Sequence, residues 1–440
     1  MKKVITYGTY DLLHHGHIRL LERAKKLGDY LIVGITTDDF DKTRGKINVQ
    51  QTLMERIENV KATGLADKII IEEYEGQKID DIKRYGIDIF TVGSDWEGKF
   101  DYLKEYCEVV YLERTKGISS SDIRSKKRAL SMGLVGNYCP TMNKFQAEDV
   151  FVNGVEIIGI CTDNINGMSD NIKKLEIITN NYEELLNKVD AVYIGADYKS
   201  HFNYIEKALL SKKHVLCESP VCFNKNEFDS LIKLAQKNNC ILMEGIRTAY
   251  STAYNRLLLL LKAGKIGKIV SVDVNCSSIR DNVSDNDINS FKDWGPTALL
   301  PIFQILGVDF KKKTIISNMI NKKNDTFTKI DFLYKNAVAS LKVAERAKFE
   351  GELIITGTNG YVYVPAPWWK MDYFEVRYEK QENNKRYFYQ LDGEGIRYEL
   401  LTFVRSIQEN KNLSNIGKDI TEAICNIMDD FNNEVNMYKI

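Results

Sequence analysis

The chain has 440 residues, 44% of them hydrophobic and 28% charged, an ordinary globular balance in a chain too long for one core. Lys plus Arg equals Asp plus Glu at 61 each, so a zero net charge gives no electrostatic footprint for nucleic acid or an anionic membrane. The opening MKKVITYGTYD has no long apolar run behind its lysines, and no stretch reaches membrane-spanning length, which argues against a signal peptide and a membrane span.

Eight cysteines are present, none in Cys-x-x-Cys spacing, and most sit in apolar runs such as HVLCES. A reducing, cytoplasmic compartment is expected. Three of the five histidines (His14, His15 and His17) fall within four residues, and all six prolines lie at or after Pro140. The chain changes character near residue 130.

In chain order, Val4–Tyr7 reads as a short strand ending in Gly8. Gly16–Leu27 is amphipathic at helical spacing through Leu20, Leu21, Ala24 and Leu27, and Gly28 stops it. Tyr30–Ile35, Lys68–Ile71, Ile89–Val92 and Val109–Leu112 read as strands, with helical patterns at 52–62, 77–84 and 119–130. Such alternation predicts a parallel sheet with helices on both faces. Residues 125–131 form a basic joint without Pro or Gly. A second α/β pattern follows: strand Gly133–Gly136, helix near 141–149, and strand Val155–Cys161. Strand Ala191–Gly195, helix 201–211 and strand His214–Cys217 complete it. Beyond about 268 the stretches are long and β-rich, which predicts an antiparallel sheet, closed by helices at 397–409 and 419–437.

The segment Gly8-Thr9-Tyr10-Asp11-Leu12-Leu13-His14-His15-Gly16-His17 joins strand to helix. His14 and His17 are three apart at a helix start and can face one point. A helix N-terminus supplies unpaired N–H groups and a positive dipole end, and Gly16 permits close approach of a phosphate. Two imidazoles, Thr9 and those N–H groups can surround an α-phosphate in transfer, where charge stabilisation matters more than covalent chemistry. An attacking phosphate monoester is already anionic and needs no general base. Arg44, Lys46 and Arg114 are the candidate cations for the triphosphate, which a divalent metal normally accompanies. A chance cluster or a metal patch is the competing reading, but no Cys or carboxylate at metal spacing stands with the histidines.

Together with VGSDWEGKFDYLKEYCEVVYLERTKGISSSDIR, this stretch resembles bacterial glycerol-3-phosphate cytidylyltransferase over residues 2 to about 125. The resemblance implies transfer of CMP from CTP to glycerol 3-phosphate or a close polyol phosphate, with Mg²⁺. The product is CDP-glycerol for a surface polymer such as teichoic acid or a capsule. It implies that His14, His17 and Arg114 stabilise the transition state. It also implies that Thr9, Tyr10, Asp11, Gly16, Arg44, Lys46, Asp95, Thr115, Ser119 and Ser120 bind nucleotide, and that Arg56 and Trp96 bind acceptor. Arg44 stands where the family commonly has Lys. Arg56 fits if one residue is inserted after Lys46, and a second family basic position falls on Gly64. Trp96 as core, and Lys42, Arg44 and Lys46 as a solvated loop, stay open alternatives.

Residues 132 to 440 resemble the Gfo/Idh/MocA oxidoreductases, through DAVYIGADYKSHFNYIEKALLSKKHVLCESP and LLKAGKIGKIVSV. That family has a Rossmann domain followed by an α+β domain with an open antiparallel sheet. The expected fold class is therefore α/β: an HxGH nucleotidyltransferase domain (1–128), a Rossmann-like domain (129–250) and an α+β sheet domain (251–440). The dinucleotide fingerprint retains only Gly136 in Gly136-Asn137-Tyr138-Cys139-Pro140-Thr141. Asp163, His201 and Glu218 remain as possible cofactor contacts. The family's Glu-Lys-Pro becomes Glu218-Ser219-Pro220, and WGPTALLPIFQILG holds neither the catalytic Asp nor the His. A domain that has lost standard hydride transfer, with weak or absent NAD(P) binding, is the expectation. The alternatives are an active reductase that supplies the acceptor, with Lys199, Arg247, Tyr250 or Tyr254 replacing the lost groups, or a metabolite-binding scaffold. Trp368 and Trp369 are core or cleft residues. A homo-oligomer is implied by both resemblances.

Overall fold

The computed structural model describes residues 1–37, 40, 49, 51, 53–74, 76–113, 129–137, 139–152, 154–279, 284, 288–321, 324–389 and 391–440. The chain forms two compact units, Met1–Ala129 and Leu130–Ile440.

The first unit is a five-stranded sheet of β1 (Lys3–Gly8), β2 (Tyr30–Thr36), β3 (Lys68–Glu72), β4 (Ile89–Gly93) and β5 (Glu108–Leu112), in the order β3-β2-β1-β4-β5. Every pair is parallel. Alternate residues of a strand face opposite sides, and here both sides are apolar. Val4, Leu31, Val33 and Ile89 pack on one face, and Ile5, Ile32 and Phe90 on the other. Each such side chain contributes roughly 1.5–3 kcal/mol by leaving water. The connecting helices are α1 (His15–Lys25), α2 (Leu53–Ala62) and α3 (Gln77–Tyr85). α1 stops two residues before the expected Leu27, at the cap Lys26, and Leu27 still packs on the core.

The first strand of the second unit begins three residues earlier than expected. β6 (Leu130–Val135) takes in residues read as a basic joint, because Leu130 N–H donates to Gly154 O and Ser131 bonds Asp190 through both N–H and hydroxyl. The rest of its sheet is β7 (Val155–Cys161), β8 (Ile177–Thr179), β9 (Ala191–Ile194), β10 (His214–Glu218) and β11 (Leu242–Gly245). The order β11-β10-β9-β6-β7-β8 is that of a doubly wound dinucleotide fold, with its switch point between β6 and β9. Helices α4 (Cys139–Asp149), α5 (Tyr182–Leu186), α6 (His201–Leu210) and α7 (Lys225–Lys237) serve it.

After α8 (Thr252–Lys262) comes a nine-stranded sheet whose strands run from Ile269–Ser277 to Met437–Lys439. It is mixed rather than purely antiparallel. Ile269–Ser277 pairs parallel with Val338–Ala344, and Met437–Lys439 pairs parallel with Lys312–Met319. Helix α9 (Ser290–Leu306) lies across this sheet, and α10 (Ile396–Gln408) and α11 (Lys418–Asn432) follow. α11 ends five residues before the expected 437. Glu434 (φ 57) and Asn436 (φ 55) turn left-handed there and return the chain as an edge strand. Among the described residues, no helix is long and apolar enough to cross a membrane.

Candidate functional site

β1 delivers Gly8 to the crevice beside β4 where the order of connections reverses, the place at which open parallel sheets collect ligands. The chain then passes through two left-handed residues, Tyr10 (φ 52) and Leu12 (φ 48), before α1 starts. Each costs roughly 1–2 kcal/mol, so neighbours must hold them. Asp11 is buried and its Oδ1 accepts from Gln51 N–H at 2.9 Å, while Leu12 N–H donates to Gln51 Oε1 at 2.8 Å. Arg56, fully buried on α2, donates through Nη1 to Thr9 O and Thr36 O, both at 2.8 Å, and through Nε to Gln51 O at 3.1 Å. A Cβ on Gly8 would meet the Tyr10 ring at 2.9 Å, so the tight loop requires glycine there.

His14 is the N-cap of α1, and its Nδ1 accepts from Gly16 N–H at 3.1 Å. An accepting nitrogen carries no proton, so the neutral ring bears its proton on Nε2 and can donate. The His14 and His17 rings stack at 3.9 Å and 20°, and Tyr10 meets His17 edge-on at 5.5 Å. His15 is exposed, which leaves the pair at 14 and 17 facing one region at the helix N-terminus.

Two candidates are placed differently from the sequence reading. Tyr10 is 1% exposed, packs in the core beneath His17, and burial pushes its hydroxyl pKa up. Arg56 donates to three main-chain carbonyls. Both side chains are buried, and both shape the loop that carries Thr9 and Asp11. Asp95 and Trp96 lie in a short turn directly after β4, next to β1 in the sheet. Asp95 is exposed. Trp96 is half-buried against Phe100, with Lys99 Nζ 5.2 Å from its ring. Arg44, Lys46, Arg114, Thr115, Ser119 and Ser120 lie outside the described residues, as do residues 119–128 of the helix expected at 119–130, whose last residue, Leu130, instead opens β6.

A buried polar network below this loop escaped the sequence reading. Glu72, at the end of β3, accepts from Thr36 Oγ1 at 3.0 Å and pairs with Lys78. Tyr7 Oη donates to Asp81 at 2.9 Å, and Lys78 Nζ lies 4.7 Å from the Tyr7 ring. Its only trace in sequence was a carboxylate closing the apolar run Lys68–Glu72, with Lys78 six residues on.

In the second unit a cleft of about 860 Å³ opens at the strand tips around the β6–β9 switch point. Gly136 (φ 140) lies there, where a Cβ would meet Gly195 O at 2.5 Å. Asp163 is exposed at the rim, its N–H bonded to Asn137 Oδ1 at 3.0 Å. His201 is 2% exposed, and its two ring nitrogens face Pro220 O at 2.8 Å and Ala196 O at 3.0 Å. It ties two turns together where it borders the cleft. Glu218 borders the cleft near Arg247. Ser219, in the place of the missing lysine, hydrogen-bonds Glu244. Of the suggested replacements, Tyr250 and Tyr254 are buried and Lys199 is exposed outside the lining; Arg247 alone lines the cleft. Trp369 lines it too, whereas Trp368 is core, its Nε1 donating to Asn275 O at 3.1 Å. Lys292, also lining it, was not among the sequence candidates. Among the described residues, no group of three His, Cys, Asp or Glu side chains is set to hold a metal ion.

Two family descriptions match: Cytidylyltransferase-like over residues 5–126, and Oxidoreductase family, NAD-binding Rossmann fold, over residues 132–246. The class is thus a cytidylyltransferase fused to an oxidoreductase-like domain. The glycerol-3-phosphate cytidylyltransferase of Bacillus spizizenii is 52% identical over 135 residues, which is 30% of this chain and 100% of that protein. That of Staphylococcus aureus is 48% identical over 131 residues, 29% of this chain and 95% of its own. Through its first unit the chain belongs to the glycerol-3-phosphate cytidylyltransferase family. A 3-ketoreductase from Actinomadura kijaniata, solved with NADP, superposes with a TM-score of 0.61 at 14% identity, covering 71% of this chain and 99% of its own. UDP-N-acetylglucosamine 3-dehydrogenase from Acidithiobacillus ferrooxidans gives 0.59 at 16%, covering 70% and 98%. At such identities the likeness establishes the fold alone.

Proposed function

We propose that the first unit transfers CMP from CTP to glycerol 3-phosphate, releasing pyrophosphate. The observation that carries this is the stacked His14–His17 pair, 3.9 Å apart at the N-terminus of α1, in a unit 52% identical to a whole glycerol-3-phosphate cytidylyltransferase. The acceptor's phosphate oxygen attacks the α-phosphorus in line, and the bond to the pyrophosphate oxygen breaks. Negative charge grows on the α-phosphate oxygens. In this reading His14 Nε2–H, His17 and the positive N-terminus of α1 stabilise it without reorganising. Arg56 and Tyr10 hold the loop in that geometry. Arg44, Lys46 and Arg114 serve the triphosphate in this reading; Asp95, Trp96, Thr115, Ser119 and Ser120 serve nucleotide and acceptor. A Mg²⁺ accompanying CTP would take phosphate oxygens as ligands, with Asp11 a carboxylate close by, and would supply charge neutralisation.

The test is pyrophosphate release with Mg²⁺ and CTP against glycerol 3-phosphate, its enantiomer, glycerol 2-phosphate, phosphoethanolamine, phosphocholine and ribitol 5-phosphate. Release with glycerol 3-phosphate alone is expected. Release with another acceptor only moves the substrate and points to Gly64, and no release with any of them removes the assignment.

For the second unit, the tip of β6 and Asp163 suit a dinucleotide ribose, but the groups for hydride transfer do not fit. Ser219 replaces the lysine, the stretch of α9 from Trp294 onward holds neither the family's acid nor its histidine although Asp293 just before it lines the cleft, and Pro140 in the first turn of α4 offers no N–H to a pyrophosphate. We propose a ligand-binding cleft without the family's standard hydride transfer. NADH and NADPH fluorescence titrations are expected to show weak binding and no turnover; tight binding overturns this.

A further inference from the structure

Three cations from three separate elements converge on one carboxylate at the cleft of the second unit. Lys144 Nζ on α4 donates to Glu394 Oε2 at 2.7 Å, and Lys370 Nζ donates to Glu394 Oε1 at 2.8 Å. Arg247 Nη1, just after β11, stands 3.6 Å from Glu394 Oε2. All four side chains line the cleft and are about one-third to two-fifths exposed, so a ligand can reach them. Glu218 and Glu399 also face Arg247. Burial pushes the Glu399 carboxyl up to about 8, so it is largely uncharged at neutral pH. Three positive charges therefore meet two negative ones, Glu394 and Glu218.

The backbone singles out Glu394. Gly393 (φ 59), Glu394 (φ 51) and Gly395 (φ 90) form three consecutive left-handed residues. A Cβ at 393 would meet Glu148 Oε2 at 2.2 Å and one at 395 would meet Arg247 O at 2.7 Å, so both flanking positions require glycine. The loop is pressed between α4 and Arg247, and its one non-glycine residue carries the carboxylate to the cations. Strain of this kind at a cleft points to function.

We propose that Lys144, Lys370 and Arg247 form a subsite for the phosphate group of a small phosphomonoester, and that Glu394 is its internal occupant, displaced when the ligand binds. Donors from three directions suit a tetrahedral phosphate better than a planar carboxylate, and the surplus positive charge favours a dianion over the single charge of Glu394. The neighbouring Trp369, 4.7 Å from Trp294 between ring centres, completes one wall. The proposal does not depend on the nucleotidyl transfer assigned to the first unit.

The chain has four tryptophans, and Trp96 alone lies in the first unit. In a Trp96→Phe background, tryptophan fluorescence reports the second unit. Titrating the full chain with glycerol 3-phosphate is expected to give a saturable change that glycerol and sulfate do not. Lys144→Ala/Lys370→Ala weakens it by about tenfold or more, the value of a lost charged contact. Glu394→Gln tightens it, while an unchanged melting temperature shows the fold intact. An adenosine 2′,5′-bisphosphate arm separates a small phosphomonoester from a phosphate borne by a dinucleotide. Response to that compound alone overturns the small-ligand proposal. So does an equal response in the lysine double variant, weaker binding by Glu394→Gln, or no response in either the wild type or Glu394→Gln.

Discussion

His14 illustrates how one atom's bond sets another's chemistry. Its Nδ1 is taken by Gly16 N–H, so the proton sits on Nε2, while His17 stacks on the ring. Removing one preorganised donor from a charge-developing transition state costs about 10²–10³ in kcat. His17→Ala is therefore expected to lower kcat for CMP transfer by that factor with the melting temperature unchanged, measured by pyrophosphate release. Arg56 is a different kind of residue. Its guanidinium donates to three main-chain carbonyls, so Arg56→Met should destabilise the first unit by about 2–4 kcal/mol, since buried acceptors lose their donor. A denaturant midpoint reads this. A raised KM for the acceptor at unchanged stability would instead restore a direct contact.

Among the elements, the loop from Gly8 to His14 is held by α2 as much as by its own residues. The motif was legible because histidine spacing and a strand-to-helix switch are local properties. The clamp was not, since Gln51 and Arg56 reach back about forty residues. α10 makes a parallel case. Glu399 lies in its first turn, fully buried over Gly245, where a Cβ would meet its Oε1 at 2.8 Å. Burial raises its carboxyl pKa, outweighing the nearby Arg247, to about 8. An unfolded glutamate titrates near 4.3, so between roughly pH 4 and 8 the folded state holds the extra proton. Stability of the second unit accordingly falls as pH rises through that window, by up to about 1.4 kcal/mol per pH unit from this group. Glu399→Gln should flatten that slope in pH-dependent unfolding; an unchanged slope refutes the burial argument.

For the molecule as a whole, the chain divides into two compact units between Ala129 and Leu130, and the first matches a relative over that protein's whole length. Residues 1–129 expressed alone should retain CMP transfer within a few-fold of the full chain. Loss of turnover in a folded fragment would mean that the second unit completes the site.

Alternating apolar runs, with their 2.0 and 3.6 periods, were sufficient to define two parallel-sheet domains and the later β-rich region, because periodicity is written in neighbouring residues. The HxGH loop and the loss of the dinucleotide glycines were equally local. Only the tertiary structure decided that Tyr10 and Arg56 are buried supports, that His201 faces Pro220 O and Ala196 O, and that the large sheet is mixed. It also brought Lys144, Arg247 and Lys370 to Glu394 across up to 250 residues of chain. The reason is physical: burial, hydrogen-bond partners and electrostatic company depend on what the rest of the chain brings close, and no pattern along the chain encodes that distance.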